Sequence, residues 1–179
     1  MTDSSTHLVG VAIPTLRELR SAVLAASSAE TAVGALREAG FAGGSAVHAA
    51  FEQWIAETGG SSSRGSRADA GGLDLEEFGD LASRFFRDAG WGHVTFSPNE
   101  TDGVAVVDIA ECWEGGSDTG DGTAGCHVTT GMLASFFGQI AGYPVAVLET
   151  ECCGGQESRC RFMMGNADVM NHKWEEMRA

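Results

Sequence analysis

The 179-residue chain reads as an α+β protein in which N-terminal helices pack with an antiparallel sheet of two β-hairpins. Two observations predict this. Up to about residue 90 the apolar residues recur at helical spacing, and from Trp91 onward the period falls to that of strands joined by short polar turns. Runs of helices followed by turn-linked strands give an α+β fold with an antiparallel sheet. With no internal repeat, residues 1–179 make one domain: a helical part over about 14–90, a core over about 91–165 and a C-terminal helix over 166–179.

The elements follow in order. Leu16, Leu19, Val23 and Leu24 form the apolar stripe of a first helix, with Pro14 in its first turn. A second, short helix is expected over about 29–39, stopped by Gly40. A third carries Val47, Phe51, Trp54 and Ile55, with Ser45 as its N-cap. The segment GGSSSRGSRADAGG (59–72) has the composition of a loop. Leu75, Phe78, Ala82 and Phe85 mark a fourth helix opened by Asp74. HVTFS (93–97) and GVAVVDIAECW (103–113) are strand-like, with PNETD as the hairpin turn between them. A glycine-rich acidic loop (114–125) precedes a helix over 126–142 whose apolar positions include Met132, Leu133, Phe136 and Phe137, ending at Gly142 and Pro144. VAVLETECC (145–153) and RCRFMMG (159–165) form the second hairpin around GGQES, and the tail is a final helix.

Charge narrows the function. A net charge of −14 lacks the basic footprint that phosphate backbones require, which argues against nucleic acid and against an anionic membrane surface. No run of about 18 apolar residues is present, so no membrane span is expected. The N-terminus lacks the basic region of a secretory signal, and a cytoplasmic location is the expectation.

Five cysteines in such a compartment point to metal binding, catalysis or burial rather than to a disulfide framework, and four of the five fall between Cys126 and Cys160. Zinc takes four ligands in a tetrahedron from thiolate, imidazole and carboxylate. Cys152 and Cys160 flank the GGQES turn, so a hairpin brings them together. Glu149 precedes Cys152 by three residues, and side chains alternate along a strand, so the two share a face only if a bulge or the start of the turn intervenes. Cys126 stands at a predicted helix N-terminus, where free amides and the helix dipole favour a thiolate. By spacing alone His127, Glu151 and Cys153 are rival ligands, plain buried thiols are an alternative, and Cys112 reads as core.

The segment CHVTTGMLASFFGQIAGYPVAVLETECCGGQESRCRF, with VVDIAECWE before it, resembles the signature of the 4-vinyl reductase domain family: a Cys before a helix, a strand ending in E-x-x-C, a glycine turn, then C-x-F. The match covers about 103–164 and is loose over the helical half. The resemblance implies a fold like that of the small subunits of the TRAPP vesicle-tethering complex. It also implies a zinc site, because aromatic-sensing regulators that carry the domain bind zinc through a pattern that maps onto Cys126, Glu149, Cys152 and Cys160. Cys153 departs from that pattern. The family is thought to bind small hydrophobic molecules, phenols in the regulators and a chlorophyll precursor's 4-vinyl group in a photosynthetic relative.

The functional expectation is a zinc-containing sensor or carrier for a hydrophobic or aromatic ligand, tetrapyrrole-related molecules among the candidates, acting as a homodimer. His93, Trp113 and Phe136 are the candidate ligand-binding residues: the first two can donate hydrogen bonds, and the third belongs to an aromatic-rich core. The alternative is a dimeric interaction module with structural zinc and no small ligand. No nicotinamide, flavin, P-loop or hydrolase motif is present, so the sequence assigns no catalytic residue despite the family's name. A catalytic reading would need Cys153 or His127 in an open cleft beside the metal.

Overall fold

The computed structural model describes residues 8–58, 75–99, 103–115, 125–153 and 159–178. Along the chain run α1 (Ile13–Ala26), α2 (Ala29–Thr58), α3 (Leu75–Asp88), β1 (His93–Asn99), β2 (Val104–Ala110), α4 (His127–Ala141), β3 (Ala146–Glu151), β4 (Arg159–Gly165) and α5 (Ala167–Arg178). Among the described residues the strands form one antiparallel sheet in the order β1-β2-β4-β3, so the two expected hairpins join edge to edge through β2 and β4. The α+β class is as the sequence predicted.

The strands are amphipathic by alternation. Cys160, Phe162 and Met164 of β4 point into the core, while Arg159 and Arg161 face outward. On the outer face Arg161 donates to both oxygens of Asp108, at 2.8 and 2.9 Å, and pairs with Glu151 at 3.2 Å. Over the inner face the helices contribute an aromatic cluster. Phe136 of α4 is fully buried, with its ring 5.6 Å from Phe51 of α2 and 5.1 Å from Phe86 of α3. Pro14 lies in the first turn of α1 and Gly142 takes the left-handed cap of α4 at φ 71°, both as expected.

The helical half departs from expectation at one place. Gly40 does not end a helix and Ser45 does not begin one; both lie inside the continuous α2, so among the described residues three helices precede the sheet rather than four. The reason is tertiary. A Cβ on Gly40 would overlap the Val128 carbonyl of α4, and one on Gly44 would lie 2.5 Å from Ser135 Cβ. From the other side, a Cβ on Gly131 would overlap the Arg37 carbonyl of α2 and lie 2.9 Å from the Phe41 nitrogen. The glycines let two helix backbones touch, and the burial gained along that seam outweighs glycine's cost of about 1 kcal/mol in a helix interior. The expected loop at 59–72, the Asp74 helix start, the core of the PNETD turn, the GGQES turn and most of the acidic loop lie outside the described residues.

Candidate metal centre and adjoining cavity

Cys126, Glu149, Cys152 and Cys160 each offer one ligand atom to a common point, and those four atoms lie within 4.8 Å of one another. Three elements place them. Cys126 is the N-cap residue of α4, Glu149 and Cys152 come from β3 and its end, and Cys160 is the first inward residue of β4. Of the two ways in which Glu149 and Cys152 can share a face, a bulge or the start of the turn, the strand shows the bulge. Glu149 pairs with Phe162 but Glu151 pairs with Arg161, so Thr150 is an extra residue in β3. Glu149 therefore shares the inward side of Phe162, Glu151 faces the outward arginines, and Cys152 returns inward.

The donor set suits a closed cation site. Cys126 Sγ and Cys160 Sγ are 3.4 Å apart, close to the roughly 3.8 Å that two sulfurs span when each is about 2.3 Å from a tetrahedral ion. Glu149 Oε2 accepts the backbone N–H of Cys126 at 2.7 Å, while Glu149 Oε1 is buried with no hydrogen-bond partner. A buried carboxylate oxygen without a donor is costly, and a cation satisfies it. Burial pushes the Glu149 carboxyl up to about 8. Hydrogen bonding to Cys112, then to Cys152 and Cys160, and then burial push the Cys126 thiol up. Cys160 rises as well, with Cys112 again the largest cause. Cys112 is drawn down to about 3 by hydrogen bonds from Cys126 and Cys160. Packed this closely and buried, the sulfurs oppose one another's ionisation. A divalent ion is what lets several of them ionise together.

Two further sulfurs flank the set without joining it. Cys112 Sγ is 3.7 Å from Cys126 Sγ, and Cys153 Sγ is 3.3 Å from Cys160 Sγ. Cys112 is buried, as its reading as core requires, yet it also touches the cluster. His127 is buried on the first turn of α4 and stands outside the group of four, as does Glu151.

Sequence reasoning missed the carboxylate that holds this end of α4. Glu114 is buried, accepts the backbone N–H groups of Val128 and Thr129 at 3.0 and 2.9 Å, and takes the Thr129 hydroxyl at 3.0 Å. It fills the free amides of the helix start from a distant loop. Burial pushes its carboxyl up against these hydrogen bonds. Arg20 of α1 lies 3.4 Å from Glu114 and donates to the Gly125 carbonyl at 2.8 Å, beside Cys126. Arg17 donates to the Trp113 carbonyl at 2.8 Å. A buried Arg on an otherwise amphipathic helix is visible in the sequence only as a charge next to the apolar stripe of Leu16, Leu19 and Val23.

Beyond that loop lies a cavity of about 690 Å³ between α1, α2, the end of α3 and the two indoles Trp91 and Trp113. Leu16, Leu36, Val47 and Phe85 form much of its wall, and the Trp91 and Trp113 rings meet edge-to-face at 6.0 Å. Of the three expected ligand residues, Trp113 lines this cavity. Phe136 sits in the filled aromatic core, and His93 is exposed on β1, 3.8 Å from Glu111. The structure does not bring the three together. Residues 112–115 separate cavity from cluster: Trp113 faces the first, while Cys112 and Gly115 abut the sulfurs.

Among the described residues no helix is long and apolar enough to cross a membrane. No protein-family model matches the chain, and no curated protein matches it in sequence. Solved structures do. A vinyl-4-reductase family protein from Methanocaldococcus jannaschii aligns at TM-score 0.35 and 18% identity over 62% of this chain and 72% of that one, too slight a likeness to bear on the fold. The phenol-responsive sensory domain of the transcription activator PoxR, solved with phenol, aligns at TM-score 0.61 and 17% identity over 92% of this chain and 81% of that one. The chain therefore has the fold of that sensory domain, in agreement with the resemblance to 4-vinyl reductase domains carried by its Cys, E-x-x-C and C-x-F pattern.

Proposed function

We propose that this chain is a small-molecule-binding domain, a sensor or carrier, in which a zinc ion on Cys126, Glu149, Cys152 and Cys160 fastens the start of α4 to the β3–β4 hairpin. The ligand, a hydrophobic or aromatic molecule, occupies the cavity beneath α1. One observation carries the ligand reading. Arg20 is the buried residue of α1, whereas Ile13, Leu19 and Val23 line the cavity and remain 39%, 59% and 37% exposed. An amphipathic helix whose apolar stripe faces empty space leaves that stripe for a guest. A volume near 690 Å³ with apolar walls suits a molecule of phenol size or several times larger. Zinc, when bound, supplies a structural cross-link and not a reaction centre, since four protein ligands leave no open position. That the PoxR domain was solved with phenol favours an aromatic guest.

Two measurements test this. Elemental analysis should find one zinc per chain in the wild type and a large loss in Cys152→Ser. A thermal-shift and tryptophan-fluorescence titration against phenols, fatty acids and tetrapyrroles should give saturable stabilisation by at least one class, weakened in Leu16→Trp, which narrows the cavity. Wild-type protein without stoichiometric metal would sink the first half of the reading. Ligand stabilisation undiminished in Leu16→Trp would sink the second. An interaction-module reading finds support in a shallow groove between α2 and α4, flanked by Phe41 and Tyr143, which are 57% and 52% exposed. A homodimer that disperses on Phe41→Glu while ligand binding persists would favour it.

A further inference from the structure

Cys153 has no place in the four-ligand set, yet its surroundings are shaped to hold its sulfur against Cys160. The two Sγ atoms are 3.3 Å apart, and the backbone N–H of Cys153 is aimed at the Cys160 sulfur from 3.4 Å. The space exists because residue 115 is glycine: a Cβ there would overlap Cys153 Sγ and lie 3.2 Å from Cys160 Sγ. Cys153 is half-buried, whereas Cys160 is fully buried. A small aqueous oxidant therefore meets Cys153 first.

We propose that Cys153 is a peroxide-responsive thiol which, once oxidised, takes Cys160 out of the metal set as a disulfide. The release step rests on the zinc reading above; the pairing of the two sulfurs does not. Hydrogen peroxide is the oxidant. Cys153 Sγ attacks one peroxide oxygen, the O–O bond breaks, and the sulfur becomes a sulfenic acid as water leaves. The Cys160 thiolate then attacks that sulfur, the S–O bond breaks, hydroxide departs, and the S–S bond forms. The sulfurs together lose two electrons, and the peroxide is reduced to water and hydroxide. From 3.3 Å the sulfurs close to a bond of about 2.05 Å. The electron pair that Cys160 gave the cation now lies in the disulfide, and three ligands remain where a closed site takes four.

The experiment is exposure of zinc-loaded protein to hydrogen peroxide. Released zinc is read with a colorimetric chelator, and disulfides are mapped by fragment-ion mass spectrometry. Zinc should appear in step with a Cys153–Cys160 disulfide. Cys153→Ser should keep its zinc and release it at least about tenfold more slowly. Gly115→Ala, which retains every sulfur, should lower the disulfide yield. Release from Cys153→Ser at the wild-type rate, a disulfide joining Cys152 to Cys160 instead, or a folded Cys153→Ser that cannot hold zinc would each overturn the proposal. Wild-type protein that never binds zinc would overturn the metal reading and the release step with it. A mapped Cys153–Cys160 disulfide in that protein would still support the pairing.

Discussion

The contact between α2 and α4 can be tested by two glycine-to-alanine changes that should act in opposite directions. At Gly131 an added Cβ would overlap the Arg37 carbonyl and sit 2.9 Å from the Phe41 nitrogen, where ordinary contacts begin near 3.4 Å. Both obstacles are backbone, so neither yields by rotating a side chain. The helices must separate by about half an ångström or more for Phe41 alone, and overpacking of this kind costs about 1–3 kcal/mol. For a chain of this length each kcal/mol moves the melting temperature by roughly 2–4 °C, so Gly131→Ala should melt about 4–8 °C lower at the middle of that range. Gly43 lies on the exposed side of the same α2, and a Cβ added there would meet nothing within 4 Å. Gly43→Ala should therefore gain about 0.5–1 kcal/mol from helix propensity and melt a few degrees higher. Differential scanning fluorimetry of the zinc-loaded proteins reads both. A Gly131→Ala protein melting within about 1 °C of wild type, or above it, would refute the close-contact account of α2.

Other outcomes follow from the same geometry. Glu114→Ala removes the carboxylate 3.4 Å from the buried Arg20 and the acceptor of two helix amides; breaking a buried pair costs about 3–5 kcal/mol, measurable by urea titration. Chelation of zinc should lower the melting temperature of the wild type and leave that of Cys152→Ser nearly unchanged, because ligation energy is folding energy. Hydrogen bonding from Arg161, then its charge and that of Arg159, hold the Asp108 carboxyl below its ordinary 3.8 against partial desolvation. A depressed carboxylate stabilises above its unfolded value and loses that contribution as pH falls through the folded one. The stability gap between wild type and Asp108→Asn, about 1 kcal/mol for a half-buried pair at the sheet surface, should be full at pH 6 and shrink as the pH falls below 3.8.

The strands were legible from local spacing, whereas spacing alone gave a cysteine cluster with rival members and the family resemblance singled out Cys126, Glu149, Cys152 and Cys160. Alternation in RCRFMMG marks Cys160, Phe162 and Met164 as one face, and the E-x-x-C interval left a bulge or the start of the turn as the ways to align Glu149 with Cys152, of which the bulge at Thr150 is found. Gly40 misled for a physical reason. Glycine is a stop signal in an isolated helix, but in α2 it is a contact surface, and the backbone it meets, at Val128 and Met132 of α4, lies about ninety residues away. A Gly40-x-x-x-Gly44 interval matched by Gly131-x-x-x-Ser135 was the available clue. Glu114 was illegible because no local rule links a carboxylate to a helix that starts beyond an intervening loop. Hydrogen-bonding chemistry at His93 and aromaticity at Phe136 do not say which side of a strand or helix looks onto a cavity, and of the three candidates Trp113 lines the one beside α1.

The way α1 is attached gives it an unusual thermodynamic signature. Its anchors are hydrogen bonds and charge, from Arg17 and Arg20, and its apolar side lies against a cavity. Detaching it would uncover little apolar area that was not already wet, so the opening would carry a small denaturant slope and a small heat-capacity change. Amide exchange in α1 should then be fast and nearly insensitive to low urea, while the sheet exchanges only on global unfolding. A guest in the cavity would convert α1 into a hydrophobically docked helix, and its exchange would slow and acquire a urea dependence.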